Sequence, residues 1–141
     1  MTIQHILRRS VKTLPPETSC AEAARLMRDD QIGCVVVAEG ERPSGVVTDR
    51  DLVVRVMAAG EDADRLTLGE VMSGAPVFLG DERSLDAVIR TMREEGVRRI
   101  PVVDEEGALE GIVTLDDLLV LLAEQLGSLA ETVRQEIAGA A

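Results

Sequence analysis

Seven residues, Gly45-Val46-Val47-Thr48-Asp49-Arg50-Asp51, recur 66 positions on (111 − 45) as Gly111-Ile112-Val113-Thr114-Leu115-Asp116-Asp117. Both copies read glycine, two apolar residues, threonine, two variable residues and aspartate. Each follows a β-branched apolar run and precedes a run with helical spacing. A chain carrying such a pair must fold as something built twice.

The repetition extends outward from this element. Ser19 to Arg28 aligns with Ser84 to Arg93, each a serine N-cap followed by apolar residues at helical spacing. Gly33 to Ala38 aligns with Arg98 to Val103, short runs that read as buried strands. Helices are expected from Asp49 to about Ala59 and from Leu115 to about Leu126, with Gly60 and Gly127 as their stops. Short capped helices are then expected at Thr67-x-x-Glu70 and Ser128-x-x-Glu131. Each half therefore reads β-α-β-β-α, an α/β class. A unit of about 60 residues covers its helix faces poorly alone, so the halves are expected to pack about a pseudo-twofold axis. The expected division is residues 1–66 for the first repeat with the N-terminal segment, 67–127 for the second, and 128–141 for a C-terminal helix or tail.

Composition narrows the function. Hydrophobic residues make up 45% of the chain, enough for a core, but Phe78 is the only aromatic residue. With a net charge of −11, the chain offers neither stacking platforms nor a polyanion-tracking surface, which argues against nucleic acid. All fifteen basic residues except Lys12 are arginine, suited to forked contacts with oxyanions. No run approaches the ~20 apolar residues that cross a bilayer, and residues 1–12 lack a signal-peptide core, so a cytoplasmic protein is expected. Cys20 and Cys34 read as free, buried thiols. His5 is the lone histidine, and neither a metal-ligand set nor a nucleophile–base arrangement is visible, so no enzyme and no metal are expected.

The repeated element can serve a ligand or merely a helix. Gly45 and Gly111 let a ligand approach the backbone, and Thr48 and Thr114 stand where a hydroxyl and free N–H groups meet a phosphate. Asp51 and Asp117, three residues on, only accept hydrogen bonds, which suits ribose hydroxyls. Thr-x-x-Asp is equally a plain helix start, its carboxylate favoured by the helix dipole. Arg50 faces an added phosphate in the first copy where Asp116 repels one in the second, so the first site is expected to prefer the more phosphorylated ligand. Arg98 and Arg99 are candidates for phosphate contact, or for keeping a strand edge charged against aggregation.

The chain resembles a tandem pair of cystathionine-β-synthase (CBS) domains. The resemblance rests on both copies of the seven-residue element and on Gly96-Val97-Arg98-Arg99-Ile100-Pro101-Val102-Val103-Asp104, and it spans about Val11 to Leu126. It implies a regulatory module whose clefts bind adenosyl ligands such as AMP, ADP, ATP or S-adenosylmethionine, with no cofactor required. It also implies phosphate contacts from Thr48 and Thr114 and ribose contacts from Asp51 and Asp117. Ile100 and Pro101 would flank the base through backbone and apolar contacts, with Val35 and Val36 as their first-half equivalents, where Cys34-Val35-Val36 departs from Arg99-Ile100-Pro101. Such modules often dimerise into a disc of four repeats. Leu129, Val133 and Ile137, beyond Gly127, are expected to meet a second subunit. The regulated partner is expected to be a separate protein. Rival readings are a constitutive dimeric scaffold without ligand and a sensor of S-adenosylmethionine or cyclic dinucleotides.

Overall fold

A computed structural model describes residues 2–73 and 84–140. The first half contains β1 (Thr13–Leu14), α1 (Cys20–Asp30), β2 (Cys34–Glu39), β3 (Arg42–Thr48) and α2 (Asp49–Leu52), and the short α3 (Leu68–Val71) opens the second. The second contains α4 (Leu85–Glu95), β4 (Arg99–Val103), β5 (Leu109–Thr114) and α5 (Leu115–Ala140). Ser19 and Ser84 start α1 and α4 by accepting the N–H of Glu22 and Ala87. Both helices end in a left-handed residue, Gln31 in one and Gly96 in the other.

The hairpins repeat residue for residue. Cys34 pairs with Thr48 and Val36 with Val46, as Arg99 pairs with Thr114 and Pro101 with Ile112. A bulge follows Val37 in one hairpin and Val102 in the other. β1 adds a parallel strand beside β2. The positions corresponding to β1 in the second half lie outside the described residues.

Period-two alternation sends one face of each hairpin to helices. Val35, Val37 and Val47 pack with Cys20, Ala23, Met27 and Val56 in the first core, and Ile100, Val102 and Val113 pack with Val88, Met92, Leu118 and Leu121 in the second. Neither core is closed by its own sequence. Leu68 and Val71 of α3 complete the first core, while Ile3 and Ile6, at the start of the chain, complete the second. The N-terminal segment, grouped with the first repeat by chain continuity, thus packs on the second.

Two helical expectations change. The helix after Thr48 runs regularly only over Asp49–Leu52 and then widens into a π-helical turn, Val53–Met57, in which the Ala58 N–H reaches the Val53 carbonyl at 2.8 Å. Gly60, with φ of 71°, follows it. Gly127, in contrast, does not stop α5, which runs through it for 26 residues. The Ser128 hydroxyl donates back to the Glu124 carbonyl at 3.1 Å and caps nothing. A glycine ends a helix only where the chain takes the left-handed turn; here the residues after it are good helix formers, and the helix continues at modest cost.

Candidate ligand-binding clefts

Both Thr-x-x-Asp elements sit where β-strand becomes helix. At the first, the Asp51 N–H donates to Thr48 Oγ1 at 3.2 Å and the Thr48 N–H to Asp51 Oδ2 at 2.8 Å, a complete capping box. Arg55, one turn on, lies 3.9 Å from Asp51 Oδ1 and gives a hydrogen bond to the Val71 carbonyl. At the second, the Asp117 N–H donates to Thr114 Oγ1 at 3.1 Å, and Thr114 Oγ1 donates to Asp117 Oδ2 at 2.7 Å. Arg8 then takes the same carboxylate in a fork, Nε to Oδ2 at 2.7 Å and Nη2 to Oδ1. That guanidinium, more than the Thr114 hydroxyl, holds the Asp117 carboxyl below its ordinary range.

The backbone explains why Arg8 is there. Its N–H and carbonyl pair with the carbonyl and N–H of Ile112, so the N-terminal segment lies along the edge of β5. The Ser73 N–H bonds the Val46 carbonyl at 3.1 Å in the corresponding place beside β3. Gly45 and Gly111 lie under these crossings. A Cβ on Gly45 would strike the Met72 side chain, and one on Gly111 would strike the Arg8 carbonyl and Leu7. The expectation that these glycines admit a ligand is therefore corrected. The chain itself makes the close approach.

An open cleft of about 320 Å³ lies between the halves. One wall is Arg8, Ser10, Val11 and Lys12 with the α1–β2 connection at Gln31, Ile32, Gly33 and Cys34; the other is Arg98, Arg99, Ile112, Thr114 and Asp116. Four cations (Arg8, Lys12, Arg98 and Arg99) face it against one carboxylate, Asp116. That carboxylate is itself 3.1 Å from Arg98 Nη2, so its charge is met and the expected repulsion of phosphate is blunted. Burial pushes the Cys34 thiol up to about 11 despite the opposing pull of Arg99, so at neutral pH it is a protonated apolar wall rather than a nucleophile. Cys20 is buried in the first core, and burial raises its thiol too.

The CBS domain family model matches this chain twice, over residues 3–58 and 68–124. This chain belongs to the CBS domain family. Hypoxic response protein 1 of Mycobacterium tuberculosis is 32% identical to it over 124 residues, covering 87% of this chain and 86% of that one. The crystal structure of Hypoxic Response Protein I, with two coordinated zinc ions, superposes with a TM-score of 0.74 over 84% of this chain and 97% of that one. The CBS domain-containing protein YhcV of Bacillus subtilis is 34% identical over 84% of each chain. CBS domain protein PAE2072 from Pyrobaculum aerophilum, in complex with AMP, has a TM-score of 0.75 at 25% identity over 88% of this chain and 99% of that one.

Within this CBS pair, the anticipated residues divide. Thr114 and Arg99 wall the cleft, together with Arg98. Asp117 does not: it borders a shallower hollow with His5 and Leu121, and Arg8 stands between the two. Val35, Val36, Ile100 and Pro101 are fully buried, so no side chain among them faces a ligand. What the cleft receives from the first repeat is instead Ile32, Gly33 and Cys34, because the sites are shared across the halves and not internal to each. Thr48 and Asp51 are half-buried and Arg50 is exposed. The positions that correspond by the repeat to Ser10, Val11 and Lys12 lie outside the described residues. Among the described residues, no three His, Cys, Asp or Glu side chains gather closely enough to hold a metal ion.

Arg8, Leu7, Ile3 and Ile6 also belong to the repeat, beyond the segments that the sequence reading aligns. The signal was present: Thr2-Ile3-x-x-Ile6-Leu7 against Thr67-Leu68-x-x-Val71-Met72, at the same 65-residue offset as the helices (67 − 2).

Proposed function

We propose that this CBS pair is a non-catalytic regulatory module that binds an adenosyl ligand of the AMP, ADP or ATP type in its inter-repeat clefts and passes occupancy to a separate partner protein in the cytoplasm. The observation that carries the reading is the cleft's charge. Four cations converge on one concavity in a chain of net charge −11, three of them held there by ion pairs with Asp117, Asp30 and Asp116 that an incoming oxyanion can exchange or share, beside a threonine at the start of a 26-residue helix. A volume near 320 Å³ falls within the roughly 300–1,000 Å³ of small-molecule sites. The AMP complex of the related PAE2072 supports the adenosyl class.

Occupancy becomes a signal because the walls come from both repeats and from the N-terminal segment. A ligand that bridges them favours one arrangement of the halves by its differential contacts. Thr48, Asp51 and Arg50 are assigned to the second, related cleft and Thr114 to the one described, with Asp117 behind Arg8 at its edge. The exposed apolar side of α5, at Leu126, Leu129, Val133 and Ile137, fits a homodimer as the assembly that reads the change.

A thermal-shift panel of AMP, ADP, ATP, adenosine and S-adenosylmethionine tests the reading. A ligand at ~100 times its Kd stabilises the fold by roughly 2.7 kcal/mol, several degrees for a domain of this size. If none of them moves the melting point, the module is a scaffold and the reading fails.

A further inference from the structure

We propose that Arg8 is the specificity-determining residue of the cleft that holds Thr114, making it select phosphate-bearing, anionic adenosyl compounds over neutral or cationic ones. This rests on the adenosyl reading above and adds to it which chemical form is taken. It begins from what already occupies the carboxylate. Both Asp117 oxygens are bonded, Oδ1 to Arg8 and Oδ2 to Arg8 and Thr114. Asp117 therefore stands outside the cleft that Thr114 enters, with Arg8 as the partition.

A ribose diol reaching Asp117 must break a charged fork, and what the ligand offers Arg8 in return decides the outcome. A nucleotide phosphate gives the guanidinium another bidentate oxyanion, so one charged pair is exchanged for another. A nucleoside offers no anion and leaves Arg8 unpaired beside Lys12, Arg98 and Arg99. S-adenosylmethionine offers a carboxylate, but its sulfonium and ammonium leave it net positive against that group and make it a poorer exchange than a phosphate. The switch needs no movement of the main chain, because Arg8 is pinned through both backbone hydrogen bonds to Ile112 while its side chain is 65% exposed. The counterpart position in the other half is Ser73, and Asp51 there accepts from the Thr48 N–H with Arg55 3.9 Å away. The two Thr-x-x-Asp elements thus have different guards, Arg8 of the crossing segment at Asp117 and Arg55 of the following helical turn at Asp51, both outside the repeated seven residues.

The test uses the full chain carrying Asp51→Ala, which leaves the cleft at Thr114 as the one read. Calorimetric titrations compare AMP with adenosine, with Arg8→Ala or Arg8→Lys added, and circular dichroism melts confirm that each variant is folded. With Arg8 present, AMP should bind at least roughly tenfold more tightly than adenosine. Arg8→Ala should shrink that ratio to within about threefold, because AMP loses its cation while adenosine gains a vacant carboxylate; Arg8→Lys, a charge without the fork, should fall between. An unchanged ratio with AMP binding retained overturns the role of Arg8 alone. If no adenosyl compound binds any of the proteins, the adenosyl reading falls, and this inference with it. If Arg8→Ala does not fold, the Arg8→Lys ratio decides in the same way.

Discussion

At Asp117 one carboxylate accepts hydrogen bonds from an arginine fork and from the Thr114 hydroxyl, and each favours the ionised form. The sign of the pH effect follows. A carboxyl whose pKa is lower folded than unfolded stabilises above its unfolded value of about 3.9 and loses that contribution as pH falls through its folded value. Chemical denaturation between pH 7 and pH 3 should therefore show a shallower acid loss for Asp117→Asn than for the parent chain, and equal slopes would contradict the pairing. A second residue-scale prediction concerns Gln31, which caps α1 in a left-handed conformation that Gly96 adopts in α4 without a Cβ. Gln31→Gly should raise stability by up to about 1 kcal/mol in urea titrations. At this scale the sequence was a good guide to which residues are special and a poor one to why. Thr48, Asp51, Thr114 and Asp117 stood out because they repeat, but whether they cap a helix or meet a ligand depends on Arg8 and Arg55. Arg8 reaches Asp117 from 109 residues away, and no local spacing carries that.

Among elements, the crossing segments explain the repeated glycines, and the explanation is unequal. At Gly111 the obstacle is the backbone carbonyl of Arg8, held by two hydrogen bonds; at Gly45 it is the flexible side chain of Met72. Gly111→Ala should accordingly cost about 1–3 kcal/mol and Gly45→Ala visibly less, read as urea midpoints. Equal costs would mean that the segment at Arg8 yields as freely as a methionine. The strand and helix order was legible because period-two and helical spacings are written in the side chains. The end of α5 was not, because glycine marks a stop only where a left-handed turn follows it. Gly127 has open space around it, so Gly127→Ala should raise the melting temperature, by the helix propensity of about 1 kcal/mol or less. A continuous α5 of 26 residues is about 39 Å long, and from Leu122 onward all of it is exposed. If α5 carries the proposed homodimer, Val133→Glu with Ile137→Glu should leave only monomer in light scattering without lowering the helical signal. A dimer that survives both changes places the interface elsewhere.

At the scale of the molecule, the two halves trade their opening residues: Ile3 and Ile6 belong to the far core, Leu68 and Val71 to the near one. Internal similarity told that there are two units, but where to cut between them was hidden, since each unit is contiguous in space and not along the chain. The consequence lies in how the molecule comes into being. As the polypeptide emerges during synthesis, Ile3 and Ile6 leave the ribosome long before the surface that receives them is finished by Val113, Leu118 and Leu121. They must wait, uncommitted, for residues made more than a hundred positions later. The first repeat can settle as soon as α3 is out, so the protein acquires its first core early and its second only by reaching back to residues 3–6.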